Sequence, residues 1–461
     1  MATDPASWRN FSPGDLSFSF PTHSSGDVEV AVARSRRAFP EWAARSFEER
    51  RDQLVACRVR LSQRAEDLAR LISAETGKPL REARLEMGAA IAKFDLTFSD
   101  GEKYLRDEEV GGGPHPARIR QRGRGAAAVI APFNFPIHLG HGAAVAYLLA
   151  GNPVLYKPSP LAVNVGAAYA EVMRSVLPDG VFEFVPGWGE AGRHLALHPD
   201  VRAVCFTGSI PVGTALARDL AEDYSKSLAL ELGGKNSAVI WNDADLAASA
   251  AAVADGMCLT SGQRCNATSR ALVHADVFDP FIEELQKSLT RYVPGDPLDE
   301  ATLLGPLISA AAVDRYRRLV NTPAGDWIRS GSVPEGCNGH FVTPAVVVAT
   351  DPAVLDASDL ATRETFAPIL VVERVSDVDQ AVERHEAWNF GLSASIFSGD
   401  HSLFEALGHR LGVGNLYANL PTTFSPSTLP FGGWGRSGNG HPGGRGFARF
   451  VSNEQSVQWK A

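Results

Sequence analysis

The chain has 461 residues, 44% of them hydrophobic and 21% charged, a size and balance that predict two or three globular domains. Its formal net charge of -9 argues against nucleic acid as a partner, because phosphates require a basic surface. No apolar run is long enough to predict a membrane span. The five cysteines are scattered without a CxxC pair and no secretion signal precedes them, so we expect free thiols and a cytoplasmic location.

The first part of the chain, residues 27–105, is predicted to be mostly helical. Its apolar residues recur at steps of three and four, with charged residues between them. The following segment, 107–125, is polar and rich in glycine and arginine, which is too irregular for a core element. We expect it to be a linker or an excursion from the main body.

From residue 125 onward, short apolar runs alternate with helix candidates, which is typical of a parallel sheet covered on both faces. Ligands bind such sheets beyond the carboxyl ends of the strands. A second α/β region extends from about 234 to 430. In the first region, several residues directly follow the apolar runs and are therefore site candidates. They are Asn134, Lys157, the glycines of 187–192, Gly208 and Ser209.

Two glycine-rich segments compete as the phosphate-binding loop. GWGEAG, at 187–192, matches GxGxxG after a strand, but no acidic residue ends a second strand about 20 residues later. FTGSIPVG, at 206–213, is the better candidate. Gly208 allows a tight turn there, and Ser209 begins a helix whose free N–H groups attract anions.

Cys265 lies among polar residues in SGQRCNATSR. A free cysteine is usually a small buried hydrophobe, and that role suits Cys57 and Cys205. It does not suit Cys265, where Arg264 and a turn of free N–H groups are expected to favour the thiolate. Cys265 is therefore the candidate nucleophile.

A nucleophile of this kind also needs a base, and no histidine has a motif context that recommends it. The carboxylate candidate is Glu231 in LALELGGKN, since a glutamate at the inner end of a buried strand is costly unless it is paired or functional. Gly233 and Gly234 allow backbone or ligand to approach it closely. The sequence predicts no metal site.

Several motifs occur in a specific order: ETGKP at 75–79, PFNFP at 132–136, LYKPSP at 155–160, FTGSIPVG, LELGGKN, SGQRCNAT, ETFAPIL at 364–370, NFGLSASIF at 389–397 and LPFGGWGRSG at 429–438. Their joint order, with Cys265 following Glu231 by 34 positions, resembles the aldehyde dehydrogenase superfamily over nearly the whole chain. The resemblance implies oxidation of an aldehyde to a carboxylic acid with NAD or NADP. Cys265 would attack the aldehyde carbon, Asn134 would help to form the oxyanion hole, and Glu231 would activate water.

The resemblance also implies a cofactor site. Lys157 and Ser159 would contact the adenosine ribose side, and Gly208 with Ser209 would meet the pyrophosphate. Glu364 would hold the nicotinamide ribose, with Phe366 near the ring. The complete set of implied cofactor-binding residues is Pro132, Phe133, Lys157, Ser159, Gly208, Ser209, Glu364 and Phe366.

The implied fold is α/β and aldehyde dehydrogenase-like, in three parts. A Rossmann-type cofactor domain would comprise 1–106 and 125–233, and an α/β catalytic domain would comprise 234–435. A small β oligomerisation flap with the tail would comprise 107–124 and 436–461, and we expect a homodimer or homotetramer.

The chain departs from the family at Pro160, where a glutamate often binds the adenosine ribose hydroxyls and would repel a 2′-phosphate. The departure implies dual or NADP-tolerant specificity. FNFPIHLGHG, SGQRC and FGGWGRSGNGHP look similar to succinylglutamate semialdehyde dehydrogenase-like members, which implies an acidic semialdehyde as substrate. Arg264, Ser427 and Thr428 are candidates to bind its carboxylate, although Arg264 could equally point into the structure.

Three alternatives remain open. A CoA-acylating relative would transfer the thioester to CoA, but such enzymes tend to lack the glutamate that is present here as Glu231. A cysteine hydrolase would need a histidine partner. A catalytically silent structural or binding relative would be expected to lose Cys265, Glu231 or Asn134, and the chain retains all three.

Overall fold

The computed structural model describes residues 5–111, 113 and 115–460. The chain begins with an antiparallel hairpin of two strands, which the helical prediction for this end of the chain did not include. Trp8 and Asn10 of the hairpin both donate to the carbonyl oxygen of Pro160, at 3.1 and 2.9 Å, so the hairpin packs beside the LYKPSP motif. The two strands are β1 (Ser7–Ser12) and β2 (Asp15–Ser24).

Four helices follow, as the helical periodicity predicts. Asp27 caps the first of them, and Ser46 with Glu49 forms a capping box at the second. Gly77, with φ 76°, ends the third in the left-handed conformation that glycine adopts without strain. The helices are α1 (Val28–Ala44), α2 (Phe47–Gln63), α3 (Ala65–Thr76) and α4 (Leu80–Tyr104).

The next part of the chain alternates strands with helices. Its elements are β3 (Glu108–Val110), β4 (Ala117–Gly123), β5 (Ala126–Ile130), α5 (His138–Leu149), β6 (Val154–Lys157), α6 (Val163–Arg174), β7 (Phe182–Phe184), α7 (Gly189–Leu197), β8 (Val201–Thr207), α8 (Ile210–Asp219) and β9 (Ser227–Glu231). The alternation follows the pattern that the sequence predicts for a parallel sheet covered by helices.

The second α/β region contains β10 (Asn236–Ile240), α9 (Leu246–Cys258), β11 (Thr268–His274), α10 (Phe278–Leu289), α11 (Ala310–Val320), β12 (Asp326–Arg329), β13 (Ala345–Val348), α12 (Pro352–Asp356), α13 (Asp359–Thr362), β14 (Ile369–Val375), α14 (Val378–Glu386), β15 (Phe390–Gly391), β16 (Ser393–Phe397), α15 (His401–Gly408) and β17 (Asn415–Ala418). The chain ends with short strands: β18 (Pro430–Phe431), β19 (Trp434–Gly435), β20 (Gly438–Asn439), β21 (Gly443–Gly444) and β22 (Ser452–Gln458).

Two large sheets organise these elements. The first has six strands in the order β20-β9-β8-β5-β6-β7, and the second has seven in the order β12-β13-β14-β11-β10-β16-β17. The paired neighbours from β7 to β9 are parallel, and β5 lies between β6 and β8. The order of the strands therefore reverses next to β5, which is where open α/β sheets bind their ligands.

Both faces of each large sheet are buried. In β5, Ala127 and Val129 pack in one hydrophobic cluster, while Ala128 and Ile130 pack in another on the opposite face. Side chains alternate across a strand, so a strand buried on both faces must be apolar throughout, as GAAAVI is. The family resemblance implied an aldehyde dehydrogenase-like α/β fold, and this architecture has that form.

A third sheet has three antiparallel strands in the order β22-β4-β3. It joins the glycine- and arginine-rich segment after α4 to the C-terminal strand. The boundaries of the three functional domains stay a prediction. One strand of the C-terminal segment, β20, pairs with β9 rather than with the small sheet, and Asn439 accepts from Leu230 N at 2.8 Å. This pairing covers the edge that β9 would otherwise leave open.

Candidate active site

The predicted catalytic residues meet where the ends of several strands face each other. Asn134 follows β5, and Glu231 is the last residue of β9. Cys265 lies in the loop between α9 and β11, and it faces Glu231. Asn134 and Glu231 lie at the carboxyl ends of strands of the first sheet, where parallel sheets bind ligands, whereas Cys265 is contributed by the loop that enters β11.

The loop that carries Cys265 has an unusual backbone. After α9, three consecutive residues adopt left-handed conformations: Thr260 at φ 52°, Ser261 at φ 56° and Gly262 at φ 71°. A β-branched residue rarely adopts this region, so Thr260 is strained. These three left-handed residues turn the chain sharply, and Cys265 lies partly buried three residues after Gly262.

Asn236 also holds this loop, and sequence analysis did not single it out. Its Nδ2 atom donates to the carbonyl oxygens of Cys265 and Ala267, at 2.9 and 2.8 Å. Its Oδ1 atom accepts from the backbone and hydroxyl of Ser393. Its position at the end of LELGGKN, two residues after Gly234, was the available signal.

Asn134 is buried and lies against the same loop. Its Nδ2 atom donates to the carbonyl oxygen of Gln263 at 2.8 Å. An amide nitrogen carries two N–H groups, so one remains for a ligand oxygen. Asn134 can therefore supply the side-chain donor of an oxyanion hole beside Cys265.

The glycines after Glu231 allow three parts of the site to approach each other. A Cβ atom on Gly233 would lie 2.5 Å from the carboxylate of Glu364, and one on Gly234 would lie 2.7 Å from the carbonyl oxygen of Cys265. Side chains at these positions would push the Glu364 segment and the Cys265 loop away from β9. The two glycines of LELGGKN therefore let the Cys265 loop and the Glu364 segment pack close to each other beside the end of β9.

Glu231 is 1% exposed, and among the described residues its carboxylate oxygens have no hydrogen-bond partner apart from the thiol that they face. Burial raises its pKa well above the ordinary value, and the nearby Glu364 raises it further. A buried carboxyl group without strong partners is suited to exchange protons rather than to stabilise the fold.

Arg264 and the backbone N–H of Asn266 favour the thiolate of Cys265, as expected, but larger effects outweigh them. The pKa of the Cys265 thiol is raised, first by burial and then by the negative charges of Glu231 and Glu364. Arg264 opposes this only weakly. Its guanidinium donates to Glu82 at 2.7 Å, so much of its positive charge is balanced by that carboxylate.

The predicted pyrophosphate site has the form expected for an anion. Gly208 and Ser209 follow β8 and precede α8, and the exposed Ser209 occupies the N-cap position without using its side chain to cap the helix. Pro211 has no N–H group, so the N–H groups of Ile210 and Val212 are the ones at the start of α8 that stay available for a ligand. This observation fits a dinucleotide with its phosphates at the start of α8.

The adenosine side of the predicted site is more closed. Lys157 is buried at the end of β6 and donates to the carbonyl oxygen of Pro158 at 3.2 Å. The hydroxyl of Ser159 accepts from Leu161 N at 3.3 Å. The alternative motif GWGEAG lies nearby, since a Cβ atom on Gly192 would be 3.2 Å from the Lys157 side chain. Both glycine-rich segments thus line this end of the sheet.

The predicted nicotinamide side is formed by the segment before β14. Glu364 accepts from Gly234 N at 3.3 Å, and burial raises its pKa to about 7. The rings of Phe133 and Phe366 meet edge to face, with centroids 5.8 Å apart. Phe366 has φ 50°, an uncommon conformation that directs the segment across the site. Pro132, which follows β5, is partly buried next to this aromatic pair.

The three candidates for substrate binding are not equally placed. Arg264 is paired with Glu82, as the sequence interpretation had allowed. Ser427 is partly buried and Thr428 is exposed. In their segment it is Ser425 that reaches the residue next to Cys265, because its hydroxyl accepts from Asn266 Nδ2 at 2.6 Å.

Two aromatic residues beside Ser425 were also missed. Burial raises the pKa of Tyr417 to about 12, and the charge of Cys265 acts in the same direction, so the two side chains are close. Phe424 meets the Tyr417 ring edge to face at 5.8 Å and is 44% exposed. Tyr417 lies near the end of β17 and Phe424 follows that strand, so the strand-end rule applied to the second sheet would have pointed to this region.

All five cysteines lie in the described part of the chain and are free, as predicted. Across residues 5–111, 113 and 115–460, no group of three or more His, Cys, Asp or Glu side chains is arranged to hold a metal ion. In the same residues, no helix has both the length and the hydrophobicity to cross a bilayer.

Comparisons with known proteins agree with this geometry. The model of the aldehyde dehydrogenase family matches residues 6–457. The N-succinylglutamate 5-semialdehyde dehydrogenase of Novosphingobium aromaticivorans is 34% identical over 426 residues, covering 90% of this chain and 88% of the relative. N-succinylglutamate 5-semialdehyde dehydrogenase 2 of Caulobacter vibrioides is 36% identical over 445 residues, covering 96% and 89%.

Among solved structures, the 1-pyrroline-5-carboxylate dehydrogenase from Thermus with bound NAD superposes with a TM-score of 0.93 at 27% identity, covering 98% of this chain and 90% of that one. The family match extends over nearly the whole chain, and relatives more than 30% identical share most of its length. The chain therefore belongs to the aldehyde dehydrogenase family and is an NAD(P)-dependent aldehyde dehydrogenase.

Proposed function

We propose that this enzyme oxidises an acidic semialdehyde of the N-succinylglutamate 5-semialdehyde type to the carboxylic acid, with Cys265 as nucleophile. The observation that carries the proposal is the convergence of three side chains: the Cys265 thiol faces the Glu231 carboxylate, while Asn134 lies against the Cys265 loop. The names of the relatives support the class of substrate.

In the first half of the reaction, the thiol of Cys265 loses its proton to solvent water, and the resulting thiolate attacks the aldehyde carbon. The amide of Asn134 and the backbone N–H of Cys265 donate to the oxygen as it becomes negatively charged. When bound, NAD or NADP would serve as the hydride acceptor, and the acyl group would then stay on Cys265 as a thioester. The predicted cofactor residues at the ends of β5, β6 and β8 would hold that cofactor against the site.

In the second half, water hydrolyses the thioester. Glu231 is buried and faces the sulfur, so it is placed to take a proton from the attacking water. Its raised pKa makes it a stronger base than an ordinary carboxylate once it is ionised. The acid product then leaves, and the proton that Glu231 took from water passes to the sulfur, which restores the thiol of Cys265 and the carboxylate of Glu231.

A carboxylated substrate requires donors at the mouth of the site. Because Arg264 is paired with Glu82, we assign this role first to the hydroxyls and amide of Tyr417, Ser425 and Asn266, with Ser427 and Thr428 further out on the same segment. These neutral donors would orient the substrate carboxylate by charge-assisted hydrogen bonds rather than by an ion pair.

A panel of aldehydes tests the substrate. kcat/KM should be highest for acidic semialdehydes and at least about tenfold lower for aliphatic or aromatic aldehydes of similar size, a difference of about 1.4 kcal/mol in transition-state binding. Faster turnover of the uncharged aldehydes would remove the proposed substrate class while leaving the aldehyde dehydrogenase activity in place.

The same panel, run with both cofactors, tests the expected dual specificity. Pro160 carries no carboxylate to repel a 2′-phosphate, and its carbonyl already accepts from Trp8 and Asn10. We expect measurable kcat/KM with NADP. A preference for NAD above about a thousandfold, roughly 4 kcal/mol, would contradict this.

A further inference from the structure

A buried carboxylate on α4 makes direct contact with the loop that carries the nucleophile. Glu82 is 2% exposed, and its Oε2 atom accepts from the backbone N and the hydroxyl of Thr260, at 3.0 and 2.8 Å. The same oxygen accepts from Arg264 at 2.7 Å. Arg264 Nε in turn donates to the Thr260 hydroxyl at 3.0 Å. Glu82, Thr260 and Arg264 thus form a closed network.

This network spans the strained part of the loop. Thr260 is the first of the three left-handed residues, and Arg264 directly precedes Cys265. A backbone conformation of this kind persists only where its surroundings hold it. Glu82 supplies that hold, because it bonds both the backbone and the side chain of Thr260.

The network also reaches the oxyanion side of the site. The guanidinium of Arg264 lies over the ring of Phe135, 5.0 Å from its centroid. Phe135 follows Asn134, whose amide donates to Gln263 in the same loop. Movement of Arg264 would therefore disturb both the nucleophile and its oxyanion donor.

We propose that Glu82 is a positioning residue for the nucleophile: it holds the strained backbone at Thr260 and pairs with Arg264, and so sets both the direction of the Cys265 thiol and the positive charge that the thiol experiences. The proposal rests on the assignment of Cys265 as nucleophile made above. Glu82 does not touch the reacting atoms, and it acts through the loop.

Several charged or titratable groups besides Glu82 and Arg264 affect Cys265, and the test must distinguish their effect from that of Glu82. Cys265 is faced by Glu231 from β9, Glu364 from the segment before β14, and Tyr417 from β17, besides its neighbour Arg264. The charge of Lys78, which pairs with Glu86 one turn along α4, also lies close to Glu82 and Arg264. A substitution at Glu82 leaves all of these charged groups in place. A change in Cys265 reactivity can therefore be attributed to the loss of the Glu82 charge.

The test uses Glu82→Gln in the full-length enzyme. Glutamine keeps the shape and still accepts from Thr260, but it leaves the charge of Arg264 unbalanced beside Cys265. The thiol should then ionise at lower pH, so that alkylation of Cys265 by iodoacetamide at pH 7, mapped by mass spectrometry, becomes several-fold faster, on the order of fivefold. The first hydride transfer should slow by roughly tenfold, because Arg264, the residue before Cys265, loses its ion pair with position 82 and no longer fixes the thiol in its reactive position.

Two further variants show whether the charge pair is responsible. Arg264→Met leaves Glu82 without its cation. The alkylation profile, which is the rate of Cys265 alkylation measured against pH, should then shift to higher pH. The double variant Glu82→Gln with Arg264→Met should return the profile close to that of the wild type. Should Glu82→Gln fail to fold, Arg264→Met carries the test alone, and an unchanged profile in that variant overturns the proposal.

Glu373→Gln is the matched control. Glu373 is 4% exposed and bridges Arg270 and Arg384 inside the second sheet, away from the Cys265 loop. It should lower the melting temperature without moving the alkylation profile. If Glu82→Gln behaves in the same way, losing stability but keeping the profile and the burst of hydride transfer, Glu82 is only structural and the proposal is wrong. Retention of turnover in Cys265→Ala would instead overturn the assignment of the nucleophile.

Discussion

Cys265 and Glu231 face each other, and burial raises the pKa of both. The charge of Glu231 makes ionisation of the thiol less favourable, whereas the hydrogen bond from the thiol partly offsets the effect of burial on Glu231. Such a pair exchanges protons easily, because neither group is strongly committed to its charged form. The partner of the thiol is a carboxylate rather than the histidine of a cysteine hydrolase, which removes the structural basis for that alternative.

Substitution of the nucleophile should separate activity from folding. Cys265→Ala removes one sulfur atom from a partly buried loop, so the free energy of unfolding should change by less than about 1 kcal/mol. Cofactor binding should remain, while hydride transfer should be absent because no other group forms the thiohemiacetal. Measuring reduced cofactor by absorbance checks this. Unchanged activity would mean that Cys265 is not the nucleophile, and Cys258 would be the next cysteine to test.

Substitution of the base should separate the two halves of the reaction. In Glu231→Gln, Cys265 can still be acylated, but an amide cannot take a proton from water. Turnover should fall by about a hundred- to ten-thousandfold. Rapid mixing should show a burst of reduced cofactor close to one per active site, and a small thiol added in excess should restore turnover. Loss of the burst would mean that Glu231 also deprotonates Cys265.

Glu364 should give cofactor binding a pH dependence. Burial raises its pKa to about 7, so its carboxylate is ionised above that pH and protonated below it. The ionised form accepts ribose hydroxyls better, and the Kd for cofactor should therefore rise by about tenfold as the pH falls from 8 to 6.

Titration calorimetry over this range checks the prediction. Lys235, whose pKa burial lowers to about 7, titrates in the same window. Glu364→Gln should flatten the dependence and Lys235→Met should preserve it. The opposite result would assign the titration to the lysine.

At the scale of the elements, the connection between β9 and β10 is packed more tightly than a loop requires. A Cβ atom on Gly234 would meet the carbonyl oxygen of Cys265 at 2.7 Å and Oδ1 of Asn236 at 2.8 Å. Neither neighbour can yield easily, since one is backbone and the other is held by its own hydrogen bonds.

Gly234→Ala should therefore displace the nucleophile loop and reduce kcat by at least about tenfold. Gly88→Ala is the control, because Gly88 lies exposed within α4 and a Cβ atom there meets nothing within 4 Å. It should raise the free energy of unfolding by up to about 1 kcal/mol with unchanged kcat. Equal kcat in the two variants would show that the close approach has no functional role.

At the scale of the whole molecule, we expect the three-stranded sheet to mediate a homodimer or homotetramer. Its two outer strands, β3 and β22, carry or adjoin apolar side chains that remain exposed, Val110 at 42% and Trp459 at 43%. Burial of such surface is favourable by about 25 cal/mol per Å².

Light scattering after gel filtration should find at least two chains per particle. The double variant Val110→Glu with Trp459→Glu should reduce the particle mass while leaving the secondary structure, measured by circular dichroism, unchanged. A monomeric wild type would contradict the expected assembly.

Much of the architecture was accessible from local patterns. Apolar runs alternating with amphipathic stretches predicted the parallel sheets, and they placed Asn134, Lys157 and Gly208 at or just after the ends of β5, β6 and β8. The polar surroundings of Cys265 were enough to separate it from Cys57 and Cys205, both of which are buried in apolar clusters. These inferences succeed because the periodicity of side chains along a strand or helix is a local property.

The sequence by itself determined the class of fold, the order of most elements and the three residues proposed to carry the chemistry. Only the tertiary structure decided where Arg264 points, because its partner Glu82 lies 182 residues away on α4. It also decided that the pKa of Cys265 is raised rather than lowered, and that β20 covers the edge of β9. Each of these depends on which distant segments pack together and how much water they exclude, and neither quantity is encoded in the spacing of neighbouring residues.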